Sequence, residues 1–116
     1  MKILLVDDDH EISSFVRMAM EDKQHDVDVA FDGLTGNKLA QEKKYDVVIL
    51  DILLPGIDGF QLCKKIRNSD KEARILLISS LDSYEDKVAA YNYGADNFLT
   101  KPFNVSELYS KINAMS

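Results

Sequence analysis

The residues of this sequence that could do chemistry are Asp7, Asp8, Asp9, Asp51, Ser79 and Lys101. Carboxylates gathered in one cleft repel each other, and a hard divalent cation relieves that repulsion. Mg²⁺ suits such a set, because it binds through one or two carboxylates, keeps several waters and often joins them to a phosphate. A lysine nearby would neutralise a phosphoryl oxygen, and a serine hydroxyl would donate to another. The set then reads as a cradle for a phosphoryl group, with Asp51 as the attacking carboxylate. No base is required, since an ionised carboxylate attacks unaided; His10 and His25 are read as surface residues. Each member also has a plainer reading: an acid among Asp7 to Asp9 caps a helix, Ser79 closes a turn, and Lys101 is solvated. Asp51 resists the plain reading. It follows Val47-Val48-Ile49-Leu50, where an acid pays a desolvation cost unless something compensates it.

The cradle exists only if distant stretches meet at one rim. Lys2 to Val6, Val47 to Asp51 and Ile75 to Ile78 are short apolar runs ended by polar residues, the pattern of strands buried on both faces. Val27, Val29 and Phe31 alternate with Asp28 and Ala30 as an edge strand, and Asn97 to Thr100 is a short fifth strand. Helical spacing predicts helices over Glu11 to Glu21, Leu34 to Lys44, a segment capped by Asp58 with Phe60, Leu62, Cys63 and Ile66 inward, Asp82 to Tyr93, and Ser106 to Met115. Gly36 weakens the second helix, and Gly94 closes the fourth. Strands alternating with helices predict a doubly wound α/β fold, a flavodoxin-like parallel sheet of five strands in order 2-1-3-4-5 with five helices. Right-handed crossovers then place the ends of strands one, three, four and five on one rim, where such sheets bind ligands.

The chain has 116 residues, enough for one domain with a core of its own. Its net charge of −6 argues against this domain holding nucleic acid or an anionic membrane by itself. Cys63 is the single cysteine, which excludes an internal disulfide and reads as a small buried hydrophobe. Met1 leads almost directly into the first apolar run, with no signal peptide and no membrane-length segment, so a cytoplasmic location is expected.

At these positions the sequence resembles the receiver domain of two-component response regulators. The likeness rests on Ile3-Leu4-Leu5-Val6-Asp7-Asp8-Asp9, on Asp46 to Asp51 with Leu54-Pro55-Gly56-Ile57-Asp58-Gly59, and on Gly94 to Phe103. It covers essentially residues 1–116 and implies a signalling switch, not an enzyme apart from catalysing its own phosphorylation and dephosphorylation. The resemblance implies that Asp51 takes the phosphoryl group from a phosphohistidine of a sensor histidine kinase. Asp8, Asp51 and the carbonyl of Leu53 would hold Mg²⁺, with Asp7 assisting. Lys101 would contact the phosphoryl group, and its bond to Pro102 would be cis. Ser79 would be the switch hydroxyl and Phe98 the aromatic that moves with it, so that phosphorylation shifts a population between two surfaces of the fourth helix, fifth strand and fifth helix. Leu53 and Leu81, each two residues beyond a site residue, are expected to restrict attacking water.

The Gly94 to Phe103 stretch and Glu107-Leu108 look most like the DNA-binding, winged-helix transcription factor branch, which favours a piece of a longer regulator over the alternative of a stand-alone receiver without DNA-binding output. That branch dimerises through charge pairs, here expected from Lys87, Asp96, Glu107 and Lys111. The sequence departs from the pattern at Asn97, where a second aspartate is usual, at Lys111 in place of arginine, and at Phe98 in place of tyrosine. Three other readings compete. A haloacid-dehalogenase-like phosphatase would use Asp7-Asp8-Asp9 but leaves the Asp51 strand unexplained. A flavodoxin-like cofactor carrier would meet three repelling acids and lacks a Gly-rich loop. A pseudo-receiver would not need the complete chemical set.

Overall fold

The apolar runs are strands covered on both faces, and their alternation shows why they read as continuous. Ile3, Leu5, Val47, Ile49, Leu76 and Ile78 pack to one side with Val16 and Met20 and with Leu108 and Ile112. Leu4, Val6, Val48, Leu50, Ile75 and Leu77 pack to the other with Leu62, Ile66 and Ala90. Successive side chains of a strand point to opposite faces, so a strand clad twice must be apolar at every position.

The computed structural model describes residues 1–115. In chain order the elements are β1 (Lys2–Val6), α1 (His10–Asp22), β2 (Asp26–Ala30), α2 (Gly33–Glu42), β3 (Val47–Asp51), α3 (Gly59–Ser69), β4 (Arg74–Ser79), α4 (Tyr84–Asn92), β5 (Asn97–Thr100) and α5 (Val105–Met115). The strands pair in parallel in the order β2-β1-β3-β4-β5, as expected. Helices α1 and α5 cover one face; α2, α3 and α4 cover the other. The chain leaves β1 for β2 on one side and returns past it to β3, so a crevice opens where the ends of β1 and β3 lie side by side.

Capping sets most helix starts. Asp9 accepts from the N–H groups of Glu11 and Ile12, Asp58 from Gln61 as expected, and Ser83 from Asp86. Asn104 and Glu107 cap α5 reciprocally, side chain to backbone N–H. The fourth helix is shorter than predicted, because Ser83 caps it and the helix begins at Tyr84, two residues after the expected start. Gly94 closes it with φ +109. Phe31 does not extend β2; it leaves the sheet and stacks on His10, ring centroids 4.0 Å apart. Gly36 is compatible with α2 because the helix backbone lies against Val6 there, with no room for a methyl group. Among the described residues no helix is long and apolar enough to cross a membrane.

Candidate functional site

Asp7 leaves β1 with its backbone N–H still bonded to the carbonyl of Ala30 at 3.1 Å. Its side chain is fully buried, and both oxygens are engaged: Oδ1 accepts from the Asp9 N–H at 2.9 Å and Oδ2 from Lys101 Nζ at 3.0 Å. Asp51, the last residue of β3, accepts from the Leu53 N–H at 3.2 Å through Oδ1 and from Lys101 Nζ at 3.0 Å through Oδ2. One ammonium thus bridges two buried carboxylates from strands that are neighbours in the sheet.

Gly59 sets the depth of this recess. The first residue of α3 lies so close to the carbonyl of Asp51 and the Cα of Ile52 that a Cβ would overlap both. Its N–H donates to Ile52 at 2.7 Å, which ties α3 to the end of β3. Lys101 is aimed from the opposite side. Its backbone N–H donates to the carbonyl of Ser79 at 2.8 Å, and the bond to Pro102 is cis, as expected.

The electrostatics follow from the burial. Desolvation pushes the Asp51 carboxyl up to about 6, against the hydrogen bond from Lys101 and with the negative charge of Asp7 adding to the rise. Burial opposes the charge on Lys101 too, yet its hydrogen bonds to Asp7 and Asp51 outweigh that and hold its pKa above the ordinary value. Carboxylate oxygens of Asp7, Asp8 and Asp51 all lie within 4.8 Å of one another. Asp8 is exposed, so the group opens to solvent on its side. Hard oxygen donors at this spacing, with one lysine against three acids, could hold a divalent cation such as Mg²⁺. Asp9 stands apart from that group: of the three consecutive acids it is the one that caps a helix.

Ser79 is fully buried at the end of β4, and its Oγ accepts from the Leu81 N–H at 3.0 Å. Its own proton remains available to donate. Leu53 is 55 % exposed beside Asp51, and Leu81 packs partly against the core. Phe98 already lies inside, 5 % exposed and clustered with Ala90 and Ala95. His10 is occupied with Phe31, and His25 is half-buried within 2.9 Å of the terminal amine of Met1.

The residues expected on a dimer face divide. Lys87 and Glu107 are exposed, and Lys111 donates within the chain to Asn97 Oδ1 at 3.2 Å. Asp96 is exposed; its Oδ2 accepts from Arg67 Nη2 at 2.7 Å and from the Ile75 N–H at 2.8 Å, while its Oδ1 has Arg74 at 4.0 Å. Sequence reading missed Ser13, buried at the foot of α1, whose Oγ donates to the carbonyl of Asp7 at 3.2 Å. The available signal was its spacing with Val16 and Met20 on the inward stripe.

Residues 3–113 match the response regulator receiver domain family. The chain is 39 % identical over 114 residues to the response regulator ArlR of Staphylococcus saprophyticus, covering 98 % of this chain and 51 % of that protein. It is 38 % identical over 116 residues to the DNA-binding dual master transcriptional regulator RpaA of Synechocystis, covering 98 % of this chain and 48 % of RpaA. The chain therefore spans about half the length of these curated relatives. Among solved structures it superposes on the receiver domain of the Francisella response regulator 1452 with a TM-score of 0.92 and 36 % identity, over 98 % of this chain and 94 % of that one. The chain belongs to the response regulator receiver domain family of two-component signalling.

Proposed function

We propose that this chain is a phosphorylation-controlled switch in which Asp51 accepts a phosphoryl group from a phosphohistidine of a sensor kinase. Response regulators are signalling proteins that interact with sensor histidine kinases, and this reading assigns the chemistry to particular atoms. The observation that carries it is Lys101 Nζ, 3.0 Å from both Asp7 and Asp51, in a recess where Asp8 completes a cation-sized group of oxygens.

In this reading Asp8, Asp51 and the carbonyl of Leu53 would hold Mg²⁺, with Asp7, tied at both oxygens, assisting. The cation, when bound, neutralises charge on the phosphoryl oxygens. One Asp51 carboxylate oxygen forms the new O–P bond as the donor's N–P bond breaks, and the donor imidazole keeps the electron pair. Lys101 then exchanges its contact with the Asp51 carboxylate for one with a phosphoryl oxygen. Ser79 donates to another, giving up its acceptance from Leu81. Phe98, packed with Ala90 and Ala95, is the aromatic whose packing shifts with Ser79.

The output surface is that of α4, β5 and α5, where Tyr84, Val88 and Tyr91 line an exposed face of α4 next to Lys87. Phosphorylation-dependent homodimerisation would use charged residues of this face, Lys87, Asp96, Glu107 and Lys111. RpaA, named as a DNA-binding transcriptional regulator, supports an output in transcription carried by another domain, and the negative charge of this one fits a domain that does not itself hold nucleic acid.

The test is incubation with acetyl phosphate in the presence and absence of Mg²⁺, read by intact mass and by amide chemical shifts. The expected result is one added phosphoryl group that requires Mg²⁺, with shifts concentrated in α4, β5 and α5. Unchanged mass in Mg²⁺, or unchanged shifts on those elements in the phosphorylated protein, contradicts the reading.

A further inference from the structure

We propose that Ser13 is a positioning residue for the acid group. Its hydroxyl orients the Asp7–Asp8 peptide and thereby sets the affinity with which Asp8 and Asp51 hold a divalent cation. The inference rests on the reading of Asp7, Asp8 and Asp51 as a cation site.

Ser13 lies on the face of α1 that otherwise buries Val16, Ala19 and Met20, and is 3 % exposed. A hydroxyl in that setting must be satisfied, and it is not satisfied by its own helix. It reaches back to the carbonyl of Asp7, six residues earlier and beyond the helix start. Asp7 has left the β1 ladder at that point, and Ser13 Oγ is the donor found for its buried carbonyl among the described residues.

That carbonyl belongs to the planar peptide unit joining Asp7 to Asp8. Fixing its direction fixes where the Cα of Asp8 stands. Asp8 is exposed and shows no hydrogen bond of its own among the described residues, so its carboxylate is held only through its neighbours. On one side Asp7 is pinned by Ala30, Lys101 and the Asp9 N–H. On the other, Asp9 is pinned by its capping bonds and by the Ser13 N–H, which donates to the Asp9 carbonyl at 3.0 Å. Ser13 therefore bonds both residues that flank Asp8. Without the hydroxyl, the buried Asp7 carbonyl would turn to find a donor, and Asp8 would turn with it.

The experiment is a Mg²⁺ titration of the 116-residue chain, with dissociation constants taken from amide chemical shifts, so the readout is binding and not phosphorylation. The variants are Ser13→Ala, Ser13→Cys and Ser13→Thr, with Ala19→Gly as a change on the same buried face that leaves the hydroxyl alone. Groups that orient metal ligands typically cost about 10-fold or more in affinity when removed, so Ser13→Ala and Ser13→Cys are expected to raise the dissociation constant by roughly that factor. Ser13→Thr and Ala19→Gly are expected to stay near the wild-type value. If Ser13→Ala does not fold, the Cys and Thr variants still separate loss of the hydroxyl from loss of packing. The inference is overturned if wild type binds Mg²⁺ and the Ala or Cys variant binds within about twofold of it, or if Ala19→Gly weakens binding as much. A wild-type protein that does not bind Mg²⁺ overturns the cation-site reading itself, and this inference with it.

Discussion

Lys101 and Asp51 are 50 positions apart in sequence, yet the ammonium of one sits 3.0 Å from the carboxylate of the other. The same ammonium meets Asp7 at 3.0 Å. Two buried acids and one cation from three strand ends make a centre whose charge is balanced only when another cation is near.

Removing the bridge leaves both acids uncompensated. Lys101→Ala is expected to destabilise the Mg²⁺-free protein by about 1–3 kcal/mol, the cost of leaving buried polar groups unsatisfied. Added Mg²⁺ should restore part of that loss, since a second cation can serve the same carboxylates. Urea unfolding with and without Mg²⁺ reads both quantities. Equal stability of wild type and variant without Mg²⁺ would show that the bridge contributes nothing.

Gly59 is required by space. A methyl group there meets the Asp51 carbonyl oxygen and the Ile52 Cα, backbone atoms that cannot swing aside. Gly59→Ala is expected to cost about 1–3 kcal/mol, as overpacking does, and to displace Asp51 from Lys101. Thermal unfolding measures the first effect, and Mg²⁺ affinity the second. Wild-type values for both would mean that α3 does not hold the end of β3.

The fold was legible because its physics is periodic. Five strands, their order and their connection to helices follow from apolar runs, turn residues and crossover handedness. The ends of elements were less legible, since Ser83 caps α4 inside the span predicted as helix and Phe31 finds a ring to stack on outside the sheet. Within the site, Asp7, Asp8, Asp51, Ser79 and Lys101 were visible as polar residues ending apolar runs. Ser13 was not, because its value lies in one bond to a backbone carbonyl that no pattern of side chains announces. The charge of Asp96 was visible in the sequence, but not that Arg67 and the Ile75 N–H engage one of its oxygens within the chain. The family match leaves the phosphatase and cofactor-carrier readings without support.

Leu53 and Leu81 stand beside Asp51 and Ser79 as apolar neighbours of the centre. Replacing both with asparagine is expected to hasten loss of the phosphoryl group on the order of tenfold, a barrier change of about 1.4 kcal/mol. The decay of phosphorylated protein after removal of acetyl phosphate measures it. An unchanged half-life would show that these side chains do not restrict water.

Away from the site, Tyr45 donates its phenolic hydroxyl to Asp28 at 2.6 Å, and this bond, with Lys43 assisting, holds the Asp28 carboxyl below its ordinary pKa. A depressed carboxylate contributes stability that is fully present above the unfolded pKa of about 4 and is lost as pH falls through the lower folded value. Tyr45→Phe is expected to raise the Asp28 pKa and remove about 0.5–1 kcal/mol at neutral pH, at the low end because Asp28 is partly solvated. Titration of the side-chain carboxyl signal by NMR reads the shift, and an unmoved Asp28 pKa would contradict the assignment.

The central claim is that Asp51 is the residue that carries the phosphoryl group. After incubation with acetyl phosphate and Mg²⁺, reduction with borohydride converts an aspartyl phosphate to homoserine, which peptide mass spectrometry locates in the chain. The account predicts homoserine at position 51 in the wild-type protein and none in Asp51→Asn. Homoserine at position 7 or 8 instead, or modification that persists in the Asp51→Asn variant, would contradict it.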